Sequence, residues 1–518
     1  MDRSGPQPIP RPDRSGNVIL LSLSVAFVLL EVIPTALGGY GYFIDEWYYI
    51  ACANRLAFGF VDHPPLAPLL LKLMMSFAGS SLVAIRILPA LAGGATVYVT
   101  GRMAADLGGT LIARLLAAGA VIIAPGFLLM FGFFSMNAFE ILLWVLCSWV
   151  LIRILRDGDT RLWILFGVLF GVGLENKHTI VLFGAGLAAA LILTPARSQF
   201  RERRLWLGVA LAAAILLPNI LWQAYSGWPS LEFYANQMAF KNITTPPLKG
   251  IFNQLFLLNP ATLPLWLCGL VWSLRAEEGN RFRALGVLFA ALFIFQIASQ
   301  SSRPDRIAGA YPVMFAAGAA AIESFVRRRQ WRWVVPALST VMILCAIALA
   351  PVGLPVLAPE ALAGYCSAVG VVPRLERGKT SPLPQWFADR FEWESFVYTV
   401  RDVFEALPPA LRDRAVIFAP SYGHAGSLEY YGPSLGLPRV ICNHNSYYLW
   451  CADKADAEVL IAVGARAADL RTIYRQVDSV GVIRGTYGMS WRNNMTVYLA
   501  QGPTTPLGAV WNRIKHFE

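Results

Sequence analysis

The sequence predicts an α-helical polytopic membrane protein of about eleven spans with a C-terminal extracytoplasmic α/β domain. The first observation behind this is composition: 56% of the 518 residues are hydrophobic and 14% are charged, whereas about 25% of a soluble protein is charged. The second is a series of apolar runs long enough to cross a bilayer, which continues to about residue 353. The third is the tail beyond that residue, where short apolar strands replace the long runs.

The apolar runs predict the positions of the spans. They lie near 18–38, 84–101, 112–133, 137–153, 162–175, 179–194, 205–222, 251–273, 284–300, 307–326 and 333–353. The first run is too long for a cleavable signal peptide, and Glu31 to Pro34 offers no small-residue cleavage site. The runs at 137–153 and 162–175 are short for spans.

The loops between the spans predict which side of the membrane each part occupies. Alternate loops are rich in arginine, and they contain Arg3, Arg11, Arg14, Arg102, Arg114, Arg153, Arg156, Arg161, Arg197, Arg201, Arg203, Arg204, Arg275, Arg281, Arg283, Arg327, Arg328, Arg329 and Arg332. The positive-inside rule places these loops and the N-terminus in the cytoplasm. An odd number of spans then places the C-terminal domain outside.

The predicted domains follow from this topology. Residues 1–17 are a disordered cytoplasmic lead, 18–353 form the transmembrane domain with a long first outer loop at 39–83, and 354–518 form the periplasmic domain. In the tail, apolar strands are predicted at 415–418, 459–463 and 495–499, with helical stretches at 465–476 and 507–516. Strands that alternate with helices indicate a small α/β domain.

Charge, cysteine and histidine content limit the function classes. The formal net charge is +11, but the basic residues lie mostly in short loops and not on one folded face, which argues against nucleic-acid binding. Cys442 and Cys451 bracket a short loop on the predicted outer side, where they form either a disulfide or two buried thiols. The five histidines have no metal-ligand spacing, and the sequence supports neither a cofactor nor a dedicated divalent metal cage.

The first outer loop is the most unusual segment of the chain, because loops of more than about 40 residues between spans usually have a function. It carries the adjacent carboxylates Asp45 and Glu46, followed by Asp62 and His63. A carboxylate at the mouth of a span can accept a proton from an attacking hydroxyl or hold a sugar hydroxyl. Alternatively, Asp45 and Glu46 cap the helix that follows, where negative charge is favourable. The sequence leaves both interpretations open.

Together these motifs resemble the aminoarabinose-transferase-like, or protein-mannosyltransferase-type, branch of the GT-C glycosyltransferases. The resemblance is carried by Asp45-Glu46 beyond the first span, Asp62 to Leu66, Ser135 to Glu140, Asn176 to His178, Ala310 to Pro312, Ser421 to Gly426 and Asn443 to Tyr447. It implies a GT-C fold and transfer of a sugar from a polyprenyl-phosphate donor. The acceptor would be a glycolipid such as lipid A, another glycan or a protein on the outer face of the bilayer.

The resemblance also implies roles for individual residues. Asp45 would be the catalytic base or would orient the acceptor, with Glu46 and Asp62 as supporting contacts. Cations on the outer side would stabilise the departing lipid phosphate; the candidates are Lys177, Arg303 and Arg306, with His63 as a weaker fourth. Interfacial anchoring is the alternative role of the two arginines and of Lys177. The remaining candidates for substrate contacts are Tyr48, Tyr49, Asn137 and Tyr311.

At two positions the sequence departs from the pattern of these relatives. His63 stands where aminoarabinose transferases often have lysine, and a neutral histidine would meet a phosphate less well. Asn137 stands where many relatives have aspartate, so it can hydrogen-bond a sugar but cannot act as a base.

Two other classes of function remain as alternatives. A transporter or flippase of lipid-linked sugars would place charges at the bilayer midplane and often has repeated halves, whereas here the acidic cluster lies in an outer loop. A sensor would use the outer domain, where His424, Glu429 and His444 lack a nucleophile motif or metal spacing. The enzyme is the preferred hypothesis.

Overall fold

The structure is a computed structural model that describes residues 14–369 and 381–518. Residues 1–13 of the predicted cytoplasmic lead lie outside the described residues, and 14–17 already belong to the first helix. The chain forms two compact units. The first comprises 14–37, Arg86–Ile220 and Thr244–Val356, and the second comprises Gly38–Ile85, Leu221–Ile243, 357–369 and 381–518.

The described part of the chain is mostly helical. Up to residue 257 the α-helices are α1 (Arg14–Leu37), α2 (Ile44–Ala53), α3 (Leu66–Ala78), α4 (Leu82–Asp106), α5 (Leu111–Ile122), α6 (Pro125–Phe131), α7 (Met136–Asp157), α8 (Leu162–Leu174), α9 (Ile180–Leu193), α10 (Arg203–Tyr225), α11 (Pro229–Asn236) and α12 (Pro247–Leu257). Then follow α13 (Leu263–Arg275), α14 (Arg283–Ala298), α15 (Tyr311–Arg329), α16 (Val334–Gly353), α17 (Pro359–Ala368), α18 (Gln385–Ala388), α19 (Trp393–Glu405), α20 (Pro409–Arg412), α21 (Tyr422–Tyr431), α22 (Ser446–Cys451), α23 (Ala467–Leu470) and α24 (Leu507–Val510). The strands are β1 (Ala415–Ala419), β2 (Val440–Cys442), β3 (Val459–Val463), β4 (Tyr474–Ile483) and β5 (Met495–Pro503).

The predicted fold class of a multi-span helical protein with a small C-terminal sheet domain is confirmed. Among the described residues, 7 helices are long and apolar enough to cross a membrane, and 3 sharply bent helix pairs raise this to as many as 10 spans. Each of the eleven predicted spans coincides with one of these helices, with a bent pair, or with the shorter apolar helix α8. Helix α3, also short and apolar, lies inside the predicted first outer loop.

The helices of the first unit expose apolar faces that would be unfavourable in contact with water. Helix α16 has a mean hydropathy of 2.2 over its most apolar window, and its Leu344 and Ile347 side chains are more than 60% exposed. Exposed apolar faces of this length require a hydrocarbon environment. The surface of this unit is therefore that of a lipid-embedded protein.

Small residues let helices of the first unit pack at short distance. On α15, a Cβ atom at Gly318 would lie 1.7 Å from the carbonyl oxygen of Leu265 on α13, and one at Gly269 would lie 2.2 Å from that of Met314. Close backbone approach through small residues is the usual packing mode of helices in membranes.

The second unit is built around a mixed five-stranded sheet with the strand order β2-β1-β3-β5-β4. β1 pairs in parallel with β2 and β3, and β5 pairs antiparallel with β3 and β4. Ile417, Ile461 and Val497 are fully buried in its core. Phe396 and Val400 of α19 contribute to the same core.

The strands predicted near 415, 459 and 495 are present as β1, β3 and β5. The predicted helix 465–476 is wrong over its second half, because α23 ends at Leu470 and β4 begins at Tyr474. The alanine-rich start favours helix, but pairing with β5 dictates an extended backbone further on. The predicted helix 507–516 is shorter than expected: α24 ends at Val510, and a 3₁₀ turn follows over Trp511–Arg513.

Candidate active site

Two motif segments of the C-terminal part begin where neighbouring parallel strands end. Ser421 to Gly426 follows β1 and opens α21, and Asn443 to Tyr447 follows β2 and opens α22. Because the carboxyl ends of parallel strands share one edge of the sheet, these segments are neighbours, as ligand-binding loops of open α/β sheets usually are. The rings of Tyr422 and His444, one from each segment, lie 4.6 Å apart.

Helix α2 of the predicted first outer loop packs against α21 within the second unit. Two glycines permit this contact. A Cβ atom at Gly423 would lie 2.3 Å from Cγ1 of Ile44, and one at Gly426 would lie 2.7 Å from the carbonyl oxygen of Trp47. The predicted catalytic loop is thereby fixed against the C-terminal motif.

Asp45 lies in the first turn of α2 and is partly exposed. The hydroxyl of Tyr422 donates a hydrogen bond of 2.8 Å to its Oδ1 atom. An O–H···O⁻ bond of this kind is charge-assisted, and it orients the carboxylate. This bond joins residues that are 377 positions apart in the chain.

Glu46 has a different environment from that of its neighbour. Its side chain is fully buried, and Oε2 accepts a bond of 2.7 Å from the backbone N–H of Phe43, the residue before the helix. This is the geometry of a carboxylate that caps a helix N-terminus. The helix cap, one of the two interpretations left open by the sequence, is thus formed by Glu46, and its contact with substrate stays a prediction.

Tyr48 connects Asp62 with the C-terminal motif. Its hydroxyl donates to Oδ1 of Asp62 at 2.8 Å and lies 2.7 Å from the hydroxyl of Ser446. The backbone N–H of Val61 donates to the same serine oxygen at 3.1 Å. Burial, and after it the charge of Asp62, raises the pKa of Tyr48 well above 10.0, so the phenol remains protonated and acts as a donor.

His63 is buried, with a relative exposure of 1%. Its Nδ1 donates to the carbonyl oxygen of Pro64 at 2.9 Å, and its ring stacks on Tyr49 with a centroid distance of 4.8 Å. The imidazole is thus enclosed by neighbouring groups, and its contact with a lipid phosphate stays a prediction. Tyr49 is likewise buried, at 3% exposure.

His424 is enclosed at the start of α21. Its Nδ1 lies 2.8 Å from the hydroxyl of Ser421, and its ring contacts those of Trp393, Phe396 and Trp491. Burial, with a further contribution from the charge of Arg492, holds the pKa of His424 well below its ordinary value of 6.5. The histidine is therefore neutral in the folded unit.

The first unit contains a second polar cluster, formed by α7 and the turn after α8. The ammonium of Lys177 donates to Asn137 Oδ1 and to Glu140 Oε2, both at 2.7 Å. The hydroxyl of Thr179 donates to the other oxygen of Glu140. The side chains of Lys177 and Glu140 are 15% and 8% exposed, so this is a largely buried ion pair that Asn137 extends.

Three further candidates of the first unit lie around the 3₁₀ turn Pro304–Ala310, which contacts α7. Arg306 interacts electrostatically with Asp305, Arg303 and Glu140. Tyr311 is fully buried, and its hydroxyl donates to Gln254 Oε1 at 2.8 Å. This hydrogen bond links α15 to α12, and the substrate contact expected of Tyr311 stays a prediction.

Cys442 and Cys451 are free, buried thiols in the structure, which corresponds to the second of the two alternatives left open by the sequence. Cys442 is the last residue of β2, and its sulfur accepts a bond of 3.4 Å from the N–H of His444. Burial raises the pKa of both thiols. Within residues 14–369 and 381–518 no group of three or more His, Cys, Asp or Glu side chains is placed to hold a metal ion.

Sequence reasoning missed three residues that complete these clusters. Tyr422, Ser446 and Glu140 all lie inside motif segments that the resemblance singled out, but no role was assigned to them. For Glu140 a signal existed: a carboxylate inside an apolar span requires a partner, and Lys177 is a cation in another of the motifs. Tyr422 and Ser446 could not be found in this way, because only the fold brings them to the outer loop.

Comparison with known proteins gives a sequence match and a fold match. Residues 62–222 match the sequence model of the dolichyl-phosphate-mannose-protein mannosyltransferase family. The chain is 27% identical over 210 residues to the lipid A galacturonosyltransferase RgtD of Rhizobium johnstonii, and the alignment covers 40% of this chain and 43% of that relative. The chain therefore aligns with less than half of the relative's length.

The fold matches solved structures of ArnT from Cupriavidus metallidurans. Against the form bound to undecaprenyl phosphate the TM-score is 0.60 at 15% identity, covering 94% of this chain and 98% of that chain. Against the apo form the TM-score is 0.58 at 14% identity, with the same coverage. The predicted resemblance is thus confirmed: the chain has the ArnT-like GT-C fold, and within it a segment that matches the mannosyltransferase family.

Proposed function

We propose that this chain is an inverting glycosyltransferase of the bacterial inner membrane that moves a sugar from a polyprenyl-phosphate donor to an envelope acceptor. The observation that carries the proposal is the carboxylate of Asp45, oriented by the hydroxyl of Tyr422 at 2.8 Å. Glycosyl transfer requires such a group, which either takes the acceptor's proton or orients the acceptor. The N-terminus is cytoplasmic and residues 354–518 are periplasmic, in accordance with the positive-inside rule.

The reaction is a single displacement. The acceptor oxygen forms a bond to the anomeric carbon while the bond from that carbon to the phosphate oxygen breaks, and the polyprenyl phosphate leaves with the electron pair. If the acceptor is a hydroxyl, its proton passes to Asp45. If the acceptor is a phosphate, it has no proton to lose, and Asp45 orients the acceptor molecule by accepting hydrogen bonds from its proton-bearing groups.

Cations of the first unit stabilise the departing phosphate, on which negative charge grows. Lys177 is the leading candidate, because Asn137 and Glu140 fix its ammonium at 2.7 Å each and a fixed cation need not reorganise during the reaction. Arg303 and Arg306 assist it. Asp62 and Tyr48 hold the outer-loop segment together around Ser446.

The relatives support a lipid carrier and a glycolipid acceptor. The curated relative is named a lipid A galacturonosyltransferase, and one of the two ArnT structures described above contains undecaprenyl phosphate. We therefore propose an undecaprenyl-phosphate sugar as donor and lipid A as the first acceptor to test.

The test uses the purified full chain in lipid nanodiscs. It is supplied with radiolabelled undecaprenyl-phosphate sugars and a lipid-A-containing envelope extract, and the label in the lipid A fraction is measured after extraction. The proposal predicts transfer from at least one donor. If no donor sugar is transferred, but the donor lipid moves from one leaflet to the other, the proposal is overturned in favour of a flippase.

A further inference from the structure

An open cavity of ≈ 570 Å³ lies in the second unit, and Asp45, Asp62 and Tyr422 are not among the residues that line it. It is lined by residues of α21 and α22, by residues just after α2 and α22, and by the segment that leads into β2, among them Arg55, Glu429, Arg439, Trp450 and Lys454. Its volume falls in the range of about 300–1,000 Å³ that is typical of small-molecule sites.

The inner wall of the cavity is a preorganised group of polar side chains. Arg55 binds Glu429 through two N–H groups at 2.9 and 2.6 Å, and the buried Tyr447 donates to the same carboxylate at 2.7 Å. A third N–H of Arg55 contacts the carbonyl oxygen of Ala51 at 3.5 Å. Since a guanidinium has five N–H groups, Arg55 retains donors for a ligand.

The charges around the cavity are unbalanced. Among the described residues that line it, three are cationic, Arg55, Arg439 and Lys454, and one is a carboxylate, Glu429. Arg439 and Lys454 are exposed. Arg439 donates only to the backbone carbonyl of Asp456 at 3.0 Å, and in the described part of the chain Lys454 forms no ion pair. The lining therefore favours an anion.

An aromatic side chain supplies the remaining wall. The indole of Trp450 is partly exposed, and the guanidinium carbon of Arg55 lies 4.9 Å from its ring centre. A flat ring beside several hydrogen-bonding groups suits a pyranose, whose C–H face is apolar and weakly positive while its edge carries hydroxyls. Glu429 can accept bonds from those hydroxyls.

We propose that this cavity binds an anionic sugar, that is, a saccharide with a phosphate or carboxylate group. The anion lies against Arg439, Lys454 and Arg55, the sugar ring lies against Trp450, and the hydroxyls reach Glu429. The inference is independent of the proposed transfer reaction, because binding is measured without any donor lipid and without turnover.

The experiment is a ligand-observed NMR titration of the full chain in nanodiscs. The probes are glucosamine 1-phosphate, glucuronic acid, neutral glucose and inorganic phosphate. We expect at least one anionic sugar to bind about tenfold more tightly than glucose and than inorganic phosphate, because the charged and apolar contacts add. The more tightly bound of the two anionic sugars identifies which anion the site takes.

Three variants and one control test the assignment. Arg439→Gln and Lys454→Gln should each weaken binding of the anionic sugar about fivefold. Trp450→Leu should weaken binding of the anionic sugar but leave the weak binding of inorganic phosphate unchanged. Arg471→Gln, an exposed cation of the same unit outside the cavity, should have no effect. The proposal would be overturned if the anionic sugars bound no more tightly than glucose or than inorganic phosphate. It would also be overturned if Arg471→Gln weakened binding of the anionic sugar as much as the cavity variants do.

Discussion

The two polar clusters of this protein hold their carboxylates in different ways. In the first unit, Glu140 is paired with a cation, Lys177, at 2.7 Å inside a bundle of apolar helices. In the second unit, Asp45 and Asp62 accept hydrogen bonds from the tyrosine hydroxyls of Tyr422 and Tyr48. One cluster therefore pairs a carboxylate with a cation, and in the other the carboxylates accept hydrogen bonds from tyrosine hydroxyls.

This difference decides what a substitution should do. Removal of one member of a buried ion pair leaves the other charge desolvated, so that stability falls together with activity. Removal of a tyrosine hydroxyl leaves a carboxylate that still reaches water, since Asp45 is partly exposed and the Asp62 side chain is 16% exposed. Variants of the second cluster should therefore change activity more than stability.

The largest effect is expected at Lys177. Lys177→Met leaves the Glu140 carboxylate without its cation and should lower the free energy of unfolding by about 3–5 kcal/mol. The double variant Lys177→Met with Glu140→Leu removes both charges and should recover more than half of that loss. Unfolding in detergent measures both. A double variant no more stable than the single one would contradict the ion-pair interpretation.

The next effect concerns the contact between α2 and α21. Gly426→Ala places a methyl group 2.7 Å from the Trp47 carbonyl oxygen, which cannot move without shifting the helix that bears Asp45. We expect a loss of about 1–3 kcal/mol in the free energy of unfolding together with slower transfer. The matched control is Gly364→Ala on α17, where a Cβ meets nothing within 4 Å; a comparable loss there would refute the argument.

A third effect depends on pH through His424. Its pKa is held well below 6.5 in the folded unit, so the unfolded chain takes up a proton first as the pH falls. Stability should thus be full above about pH 6.5 and should fall by about 1 kcal/mol by about pH 5.5. The difference in thermal unfolding between wild type and His424→Asn isolates this contribution. A pH dependence of thermal unfolding that is the same in His424→Asn as in wild type would contradict this expectation.

The smallest expected effect on stability is that of Tyr422→Phe. It removes one hydrogen bond to a partly exposed carboxylate and should change the free energy of unfolding by less than about 1 kcal/mol. The transfer rate should nevertheless fall about tenfold, since Asp45 loses its orienting contact. Unfolding and initial-rate measurements on the same preparation separate the two. Equal stability and an unchanged rate would show that the tyrosine does not position Asp45.

The sequence predicted the fold well where hydrophobicity decides the structure. Every long apolar run became a helix or a bent pair of helices, and the buried strands β1, β3 and β5 were visible as short apolar segments. The prediction failed at β4, where exposed polar residues such as Arg475 and Asp478 interrupt the apolar pattern and only pairing with β5 fixes the strand. That pairing is a tertiary interaction, which local propensity does not contain.

The candidate site shows the same division. The pair Asp45-Glu46 was recognised from local context, but the contacts of its two members differ. The hydroxyl of Tyr422, 377 positions away, donates to Asp45, and only the fold brings these two residues together. Glu46 accepts a bond from the N–H of Phe43, which is the local helix cap that the sequence left open as an alternative. The ring of His63, expected near a phosphate, lies against those of Tyr49 and Phe60. No sequence pattern expresses a contact such as that between Asp45 and Tyr422.

The most direct test of the central claim is the rate of sugar transfer by Asp45→Asn, compared with Asp413→Asn, an exposed carboxylate of the same unit. Both variants would be measured in nanodiscs with saturating donor, after unfolding measurements have shown that they are folded. The account predicts a loss of at least about 100-fold for Asp45→Asn, typical of a group that acts on the reacting proton, and a wild-type rate for Asp413→Asn. A wild-type rate in Asp45→Asn would contradict the account and leave Asp45 as part of the helix terminus alone.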